Sequence, residues 1–262
     1  DGQRPHVMSL NVCTDQLVLA LADRAQIVSL SNLSDDPGLS FLHEEASAFP
    51  KNAGLAEEVF VMRPDIVVTG TYSLHTTAAV IAGLGLRVEE FPYTQTLDTI
   101  AGDIRRMGAI LGQEERAEAI AAAFETELAE PQGQTDARPS VVVFEQNGVV
   151  LGAGTLADSI LTAAGFRNLA AEHGVAGMAP YPLELLVADR PDVVLTGRPY
   201  NDAPALADQI TRHPALAALG TARSSDVVPA GSWACGGPFT IEAVRALRRL
   251  RDALADRRGA AG

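Results

Sequence analysis

The stretch EEVFVMRPDIVVTGTY at residues 57–72 decides the fold, because the chain repeats it as ELLVADRPDVVLTGRPY at residues 184–200. Each copy has a glutamate and an apolar helical run before Arg-Pro-Asp, then a mostly β-branched run, Thr-Gly and a tyrosine. Pro64 and Pro191 are 127 positions apart (191 − 64 = 127). A period near half the chain length is too long for a solenoid and predicts two similar lobes. Two similar lobes that face each other form a cleft, which favours a binding protein.

Strands and helices alternate outward from these two stretches. The pattern predicts strands at 6–10, 27–30, 66–69, 87–91, 140–145, 192–196 and 227–229. It predicts helices at 57–62, 76–84, 156–164, 183–188, 203–212 and 241–255, and long loops at 31–54 and 171–182. Each Arg-Pro-Asp ends a helix, because proline disfavours helical backbone in the residue before it. Continuous apolar strands that alternate with helices are typical of parallel sheets buried on both faces.

The segment between the two halves has two helical stripes of apolar residues, which Gly112 interrupts. A helix of about 17 residues is roughly 25 Å long, enough to bridge two lobes as a stiff connector. We therefore predict an α/β protein with two Rossmann-like lobes, each with a parallel sheet, joined by a single long α-helix. The predicted domains are an N-terminal lobe at 1–95, a linker helix region at 96–130 and a C-terminal lobe at 131–262.

The composition of the chain disfavours some classes of partner and bears on the cellular compartment. The 262 residues are 47% hydrophobic and carry a net charge of −13, which disfavours nucleic acid and anionic membrane surfaces as main partners. No apolar run reaches the roughly 18 residues of a membrane span. The numbering begins at Asp1 rather than methionine, so we expect that an N-terminal segment was removed. Cys13 and Cys235 fit either one disulfide in an oxidising compartment or two separate buried thiols.

The whole arrangement resembles the periplasmic substrate-binding proteins of ABC importers that have a single helical linker, the cobalamin, ferric siderophore and haem group. The resemblance rests on the opening VMSLNVCTDQLVLALAD and on the segment LAEEVFVMRPDIVV, with a glutamate seven residues before the proline. Glu57 and Glu184 both hold that position. In this family the two glutamates dock onto arginines of the permease dimer in the inner membrane. The resemblance therefore implies a secreted, periplasmic protein, expected as a monomer, whose partner is an ABC permease.

The resemblance also implies a ligand between the lobes, on loops that follow the carboxyl ends of the strands, in line with the general rule for open α/β sheets. The ligand would be a metal chelate, a corrinoid or a ferric siderophore, and the protein would carry no cofactor of its own. We expect these residues to contact it: Asn11, Cys13, Asp36, Tyr72, His75, Tyr181, Arg198, Tyr200 and Trp233. Trp233 lies in AGSWACGGP, which is too rich in glycine for core packing.

Three alternatives remain open at the level of sequence. Haem is one, because a tyrosine or histidine in a cleft loop can be an axial ligand, and Tyr72, His75 and His173 qualify. A bare metal ion is less favoured, because the five histidines lie apart and lack the spacing of a metal site. An enzyme is least favoured, since the chain has no G-x-S-x-G elbow, no P-loop and no G-x-G-x-x-G after a strand.

Overall fold

The computed structural model describes residues 4–71, 75–92, 96–130, 138–196, 213–217, 219 and 221–260. The chain divides into two compact units. The first consists of Asp1–Ala129 and Ala230–Ile241, and the second of Glu130–Pro229 and Glu242–Gly262. The predicted helix at 203–212 lies outside the described residues, as do the predicted site residues Tyr72, Arg198 and Tyr200.

The first unit is built on a parallel sheet. Its elements are β1 (Val7–Ser9), α1 (Val12–Leu21), β2 (Ile27–Ser31), α2 (His43–Ala46), β3 (Lys51–Asn52), α3 (Ala56–Met62), β4 (Ile66–Gly70), α4 (His75–Gly83), β5 (Arg87–Phe91), α5 (Leu97–Leu111) and α6 (Glu114–Leu128). The strand order is β3-β2-β1-β4-β5, and every neighbouring pair is parallel. Met8, Val67 and Ile81 are fully buried in the core that α3 and α4 cover.

The loop predicted at 31–54 is only partly a loop, because it contains α2 and β3. A four-residue helix and a two-residue strand are too short to leave a periodic pattern in the sequence. Hydrogen bonds from one side chain hold β3 in place. The buried Asn52 amide donates to the carbonyls of Leu30 in the neighbouring β2 and of Ser9 in β1, each at 2.9 Å, and so joins β3 to the next two strands of the sheet.

The segment predicted as a linker forms two helices that lie in the first unit. Gly112, with φ of 66°, ends α5, and α6 begins two residues later. The two helices touch at Gly108, where an added Cβ would lie 2.2 Å from the Cβ of Ala117. Arg105 pairs with Glu118 and Glu125 across the hairpin, at 2.7 Å each. The part that α6 plays as a stiff connector stays a prediction.

The second half of the chain forms a mixed sheet. Its elements are β6 (Ser140–Phe144), β7 (Val149–Leu151), α7 (Leu156–Ala163), β8 (Arg167–Asn168), α8 (Leu169–Glu172), β9 (Met178–Pro180), α9 (Leu183–Asp189), β10 (Val193–Thr196), α10 (Pro214–Ala217), β11 (Thr221–Arg223), α11 (Ser224–Val227) and α12 (Thr240–Ala260). The strand order is β11-β10-β6-β7-β9, with β8 beside β6. The strand predicted at 227–229 is wrong, since Val227 ends α11 and the strand lies at β11 instead.

The second sheet departs from the parallel arrangement at β7. This strand runs antiparallel to β6, and β9 runs antiparallel to β7. The cause is a tight turn in which Asn147 and Gly148 have φ of 61° and 72°. Glu145 N–H donates to the Val149 carbonyl at 2.7 Å and closes the hairpin. The predicted loop at 171–182 likewise contains β9 and the end of α8.

The repeated Arg-Pro-Asp turn makes the same contact in both units. The Asp65 carboxylate accepts a hydrogen bond from the His6 backbone N–H at 2.7 Å, just before β1. The Asp192 carboxylate accepts one from the Ser140 backbone N–H, also at 2.7 Å, at the start of β6. Each aspartate therefore fixes its own strand, β4 or β10, against the central strand of its sheet.

A disulfide joins Cys13, in the first turn of α1, to Cys235, with 5.2 Å between the two Cα atoms. Of the two arrangements that the sequence left open, the structure has the disulfide. The bond closes a loop across a sequence separation of 222 residues. It ties segment 230–241, which returns late in the chain, to the first unit.

Replacing both cysteines (Cys13→Ser with Cys235→Ser) is expected to lower the free energy of unfolding by about 2–5 kcal/mol, because the unfolded chain loses a long-range constraint. Urea unfolding followed by far-ultraviolet circular dichroism measures this. Dithiothreitol should lower the midpoint of the parent protein and leave that of the double variant unchanged. Equal midpoints for the oxidised parent and the variant would show that the disulfide contributes no stability.

Candidate functional site

The strand order of the first unit reverses between β1 and β4. From β1 the chain builds outward through β2 to β3, then crosses to β4 and β5 on the other side. At such a reversal the loops after the two neighbouring strands leave in opposite directions, and ligands bind outside the carboxyl ends of the strands. We call this side of each sheet the carboxyl edge, and it is the candidate site on the first unit.

Asn11 lies at this reversal and is partly exposed. Its side chain caps α1, because its Oδ1 accepts a hydrogen bond from Cys13 N–H at 2.9 Å. It also lies against the end of β4, since a Cβ added to Gly70 would be 3.3 Å from the Asn11 Nδ2. The structure therefore confirms that Asn11 is at the carboxyl edge, directly beside the residues that lead to Tyr72.

The segment that carries Trp233 is packed onto the same unit on both sides of the indole. Gly231 has φ of 73°, and a Cβ there would lie 2.4 Å from the Phe41 backbone nitrogen. Phe239 stacks on the Phe41 ring with 5.4 Å between the ring centroids. Cys235 forms the disulfide to the first turn of α1, the turn that Asn11 caps. Trp233 itself is partly exposed, between the buried Ser232 and the exposed Ala234, so it lies at the surface of the segment.

A network of buried polar groups lies under the candidate site. The Asp15 carboxylate, which is fully buried, accepts hydrogen bonds from Ser31 N–H at 3.0 Å and from the Ser31 hydroxyl at 2.5 Å. Burial raises the pKa of Asp15 to about 7, although these hydrogen bonds and the charge of Lys51 act in the opposite direction. Among the described residues the buried Thr69 hydroxyl has no hydrogen-bond partner. The carboxyl edge therefore contains a buried hydroxyl group without a hydrogen-bond partner among the described residues.

Three predicted ligand contacts have structural tasks. Cys13 is in the disulfide and offers no thiol to a ligand, so this contact is corrected to an anchor for the Trp233 segment. Tyr181 is 4% exposed, and its hydroxyl donates to Asp189 at 2.7 Å, so this contact is corrected to a core residue of the second unit. Asp36 accepts a hydrogen bond from Gly38 N–H at 2.7 Å within its own turn, and its contact with a ligand stays a prediction.

Of the three predicted haem ligands, the structure describes His173 and His75, while Tyr72 lies outside the described residues. His173 lies 2.9 Å from Asp189, on the same carboxylate that holds Tyr181. This contact engages Nε2, one of the two ring nitrogens that could bind an iron. His75 is the first residue of α4, which puts it just after the carboxyl end of β4. The roles of Tyr72 and His75 as iron ligands stay predictions.

Glu145 is a candidate that the sequence reasoning missed. Val7 pairs with Ile66 and Val141 pairs with Val193, and the last residue of each pair is equivalent in the repeat. Four positions after Val7 comes Asn11, and four positions after Val141 comes Glu145. Glu145 therefore holds the place of Asn11 at the carboxyl edge of the second sheet.

Glu145 is partly buried at this position. Burial raises the pKa of its carboxyl group. In the described part of the chain no hydrogen bond or ion pair compensates that carboxyl group. The next two residues, Gln146 and Asn147, form the hairpin turn. The repeat spacing of 127 residues does not identify Glu145, because the central strands β1 and β6 lie outside the repeated stretch.

The two predicted docking glutamates occupy equivalent helices, α3 and α9, and both are exposed. The neighbouring Glu58 shows what a structural glutamate does here, since its carboxylate accepts hydrogen bonds from Ala53 N–H and Leu55 N–H at 2.9 and 3.0 Å. Glu57 and Glu184 have no such bond to any described residue. Both glutamates lie at the exposed surface of their helices.

Over the described residues, no group of three histidine, cysteine, aspartate or glutamate side chains is arranged to hold a metal ion. The helices within those same ranges include none that is long and apolar enough to cross a membrane.

Asp15→Asn is expected to abolish a pH dependence of stability. The folded-state pKa of Asp15 is raised to about 7 from 3.8, so its contribution is fully present below pH 4 and is lost as the pH rises through 7. The parent should therefore lose on the order of 3 kcal/mol of unfolding free energy between pH 4 and pH 8 through this residue. Urea midpoints of parent and variant at both pH values measure the difference. Parallel pH profiles would contradict a buried, titrating Asp15.

The chain is 26% identical over 202 residues to a cobalamin-binding protein of Halobacterium salinarum, covering 75% of this chain and 55% of that protein. The chain therefore spans about half the length of this curated relative.

Solved structures of similar fold cover nearly the whole chain. The haem-binding protein RhuT from Roseiflexus sp. RS-1, in apo form, has a TM-score of 0.76 at 24% identity, over 97% of this chain and 99% of that one. The vitamin B12-binding protein BtuF of Vibrio cholerae has a TM-score of 0.69 at 17% identity, over 95% and 97% of the two chains. These likenesses confirm the two-lobed α/β fold.

A sequence profile of the family described as periplasmic binding protein matches residues 7–232, which is most of the chain. The matched range includes β1, both copies of the repeated stretch and the buried residues just before Trp233. The chain therefore belongs to the periplasmic binding protein family.

Proposed function

We propose that this protein binds a metal-chelate ligand in the periplasm and delivers it to an ABC-type importer. The observation that carries the proposal is the pair of exposed glutamates, Glu57 and Glu184, at the same place on α3 and α9. A carboxylate that the fold does not use, presented twice at the same position, fits a two-fold partner with one basic socket for each copy. Membership of the periplasmic binding protein family supports the same reading.

The ligand class rests on the relatives and on the candidate site. A corrinoid is favoured by the cobalamin-binding relative from Halobacterium salinarum. Haem is the second candidate, because several solved structures of this fold are haem-binding proteins. On this chain Asn11 offers an amide at the carboxyl edge, and Trp233 offers an aromatic surface two residues before Cys235, which is bonded to the helix that Asn11 caps. A large planar ring needs both, since stacking binds its face and polar groups orient its substituents.

Reversing the two docking charges (Glu57→Arg with Glu184→Arg) is expected to lower stimulation of the importer's ATPase by at least about tenfold, because like charges would then face each other. Ligand affinity and folding should be unchanged, since exposed charges contribute little to stability. The measurement is ATP hydrolysis by the importer in lipid nanodiscs.

The matched control is Glu45→Arg with Asp256→Arg. It changes the net charge by the same amount at exposed positions on α2 and α12, away from the docking helices. It should stimulate the ATPase as the parent does. Normal stimulation by the Glu57/Glu184 variant, or an equal loss in the control, would rule out specific docking through these two carboxylates.

The ligand class is tested with three coloured probes: cyanocobalamin, haemin and a ferric siderophore. After each is mixed with the protein and free ligand is removed by desalting, we expect visible absorbance to remain for one of them. If haemin remains, Tyr72→Phe and His75→Ala report the axial ligand through the position of the Soret band. Colourless protein after all three would rule out a metal chelate as the ligand.

Trp233 is the only tryptophan in the chain, so indole fluorescence reports one place. We expect saturable quenching by the retained probe and an affinity about fivefold lower in Trp233→Ala, which corresponds to roughly 1 kcal/mol of lost stacking. Trp233→Phe, which keeps an aromatic face, should retain most of the affinity. An unchanged affinity in Trp233→Ala would remove Trp233 from the site, whatever the quenching, because energy transfer also acts from a distance.

A further inference from the structure

The outward face of α3 is apolar next to its glutamate. Phe60 and Val61 follow Glu57 by three and four positions, so they lie on the same face of the helix. They are 65% and 77% exposed, whereas Val59 on the opposite face is fully buried. The fold uses Val59 and leaves the other two uncovered.

The outward face of α9 has the same arrangement. Val187 and Ala188 follow Glu184 by three and four positions, and both are exposed, Val187 by 38%. Leu186, the counterpart of Val59, is fully buried. We call the two sets the ridges: Glu57, Phe60 and Val61 on α3, and Glu184, Val187 and Ala188 on α9.

A single exposed apolar side chain is ordinary and needs no explanation. Here the same combination, an unused carboxylate with apolar side chains one turn later, occurs at equivalent positions in two separate units. The core of neither unit requires it, because the inward positions already supply the buried contacts. Folding therefore does not account for the ridges, whereas binding to one partner through two like surfaces does.

We infer that each ridge docks onto the importer by apolar contact as well as by charge, against a basic group that lies beside an apolar groove of the permease. This inference rests on the proposed docking function and adds the chemistry of the partner surface. Apolar contact around an ion pair excludes water, and the exclusion strengthens the attraction between the charges. A bare lipid surface fits less well, since anionic headgroups repel the glutamates and a chain of net charge −13.

The test is binding of the protein to the importer in nanodiscs, using the importer whose ATPase the parent protein stimulates. Phe60→Ser is expected to weaken binding by roughly tenfold and Val187→Ser by roughly threefold, in proportion to the apolar area that each would bury. The matched control is Leu84→Ser, which removes a side chain of similar exposure, 59%, just after α4. It should bind as the parent does, and urea midpoints should be the same for all three variants.

Salt separates the two parts of each ridge. At 1 M NaCl the Debye length is about 3 Å, so most of the difference between the parent and the Glu57/Glu184 charge-reversal variant should disappear. The losses in Phe60→Ser and Val187→Ser should persist, because apolar contact is not screened. This pattern would support the ridges as mixed surfaces.

Other outcomes overturn the inference in distinguishable ways. If charge reversal abolishes binding and both serine variants bind as the parent does, docking stands and the apolar contact falls. If the serine variants alone weaken binding, the apolar contact stands and the role of the glutamates falls. If neither set matters, both fall. Equal losses on empty nanodiscs would assign the ridges to lipid, and a parent dimer that Phe60→Ser dissociates would assign them to a second copy of the chain. Either result would overturn the inference.

Discussion

In each unit the backbone N–H at the start of the central strand donates a hydrogen bond to the aspartate of Arg-Pro-Asp, and this is the constraint on which the rest of the unit depends. Asp65 binds the His6 N–H and Asp192 binds the Ser140 N–H. The bond lowers the pKa of Asp65, because the ionised carboxylate accepts it. It fixes the register of two neighbouring parallel strands, and a parallel register decides which residues leave the sheet together at its far end. The loops at the carboxyl edge are therefore positioned by hydrogen bonds at the other end of the strands.

The disulfide and the buried polar groups have opposite effects on the stability of the protein at that edge. A site needs polar groups that the fold has not fully satisfied, and such groups destabilise the folded state. Thr69 is the clearest case, since its buried hydroxyl has no hydrogen-bond partner among the described residues. Ionisation of the buried Asp15 also costs stability, because burial raises its pKa to about 7. The Cys13–Cys235 bond acts in the other direction, because it constrains the unfolded chain at the same first turn of α1. The disulfide therefore lies in the same helical turn as Asp15, whose ionised form destabilises the folded state.

The sequence predicted the elements that repeat or are long, and it failed where the decisive contacts are few or distant. The register of the two Arg-Pro-Asp stretches was sufficient for the two-lobed fold, because both copies carry the same helix-turn-strand pattern. The hairpin after β6 was missed although Asn147-Gly148 is a strong hairpin signal, since both residues favour positive φ. Tyr181 was taken for a cleft residue because no local pattern shows that its hydroxyl meets Asp189. Nor does spacing identify a disulfide partner across 222 residues.

Topology also puts the proposed docking glutamates and the candidate ligand site on the same side of each sheet. A helix that connects two parallel strands runs opposite to them, so its first residues lie at the carboxyl edge. Glu57 is in the first turn of α3, which follows β3, and so it shares an edge with Asn11. In the second unit β9 runs in the same direction as β6, because each is antiparallel to β7. The start of α9, with Glu184, therefore shares an edge with Glu145. In each unit, a partner that binds the glutamate stands at the side of the sheet from which a ligand would leave.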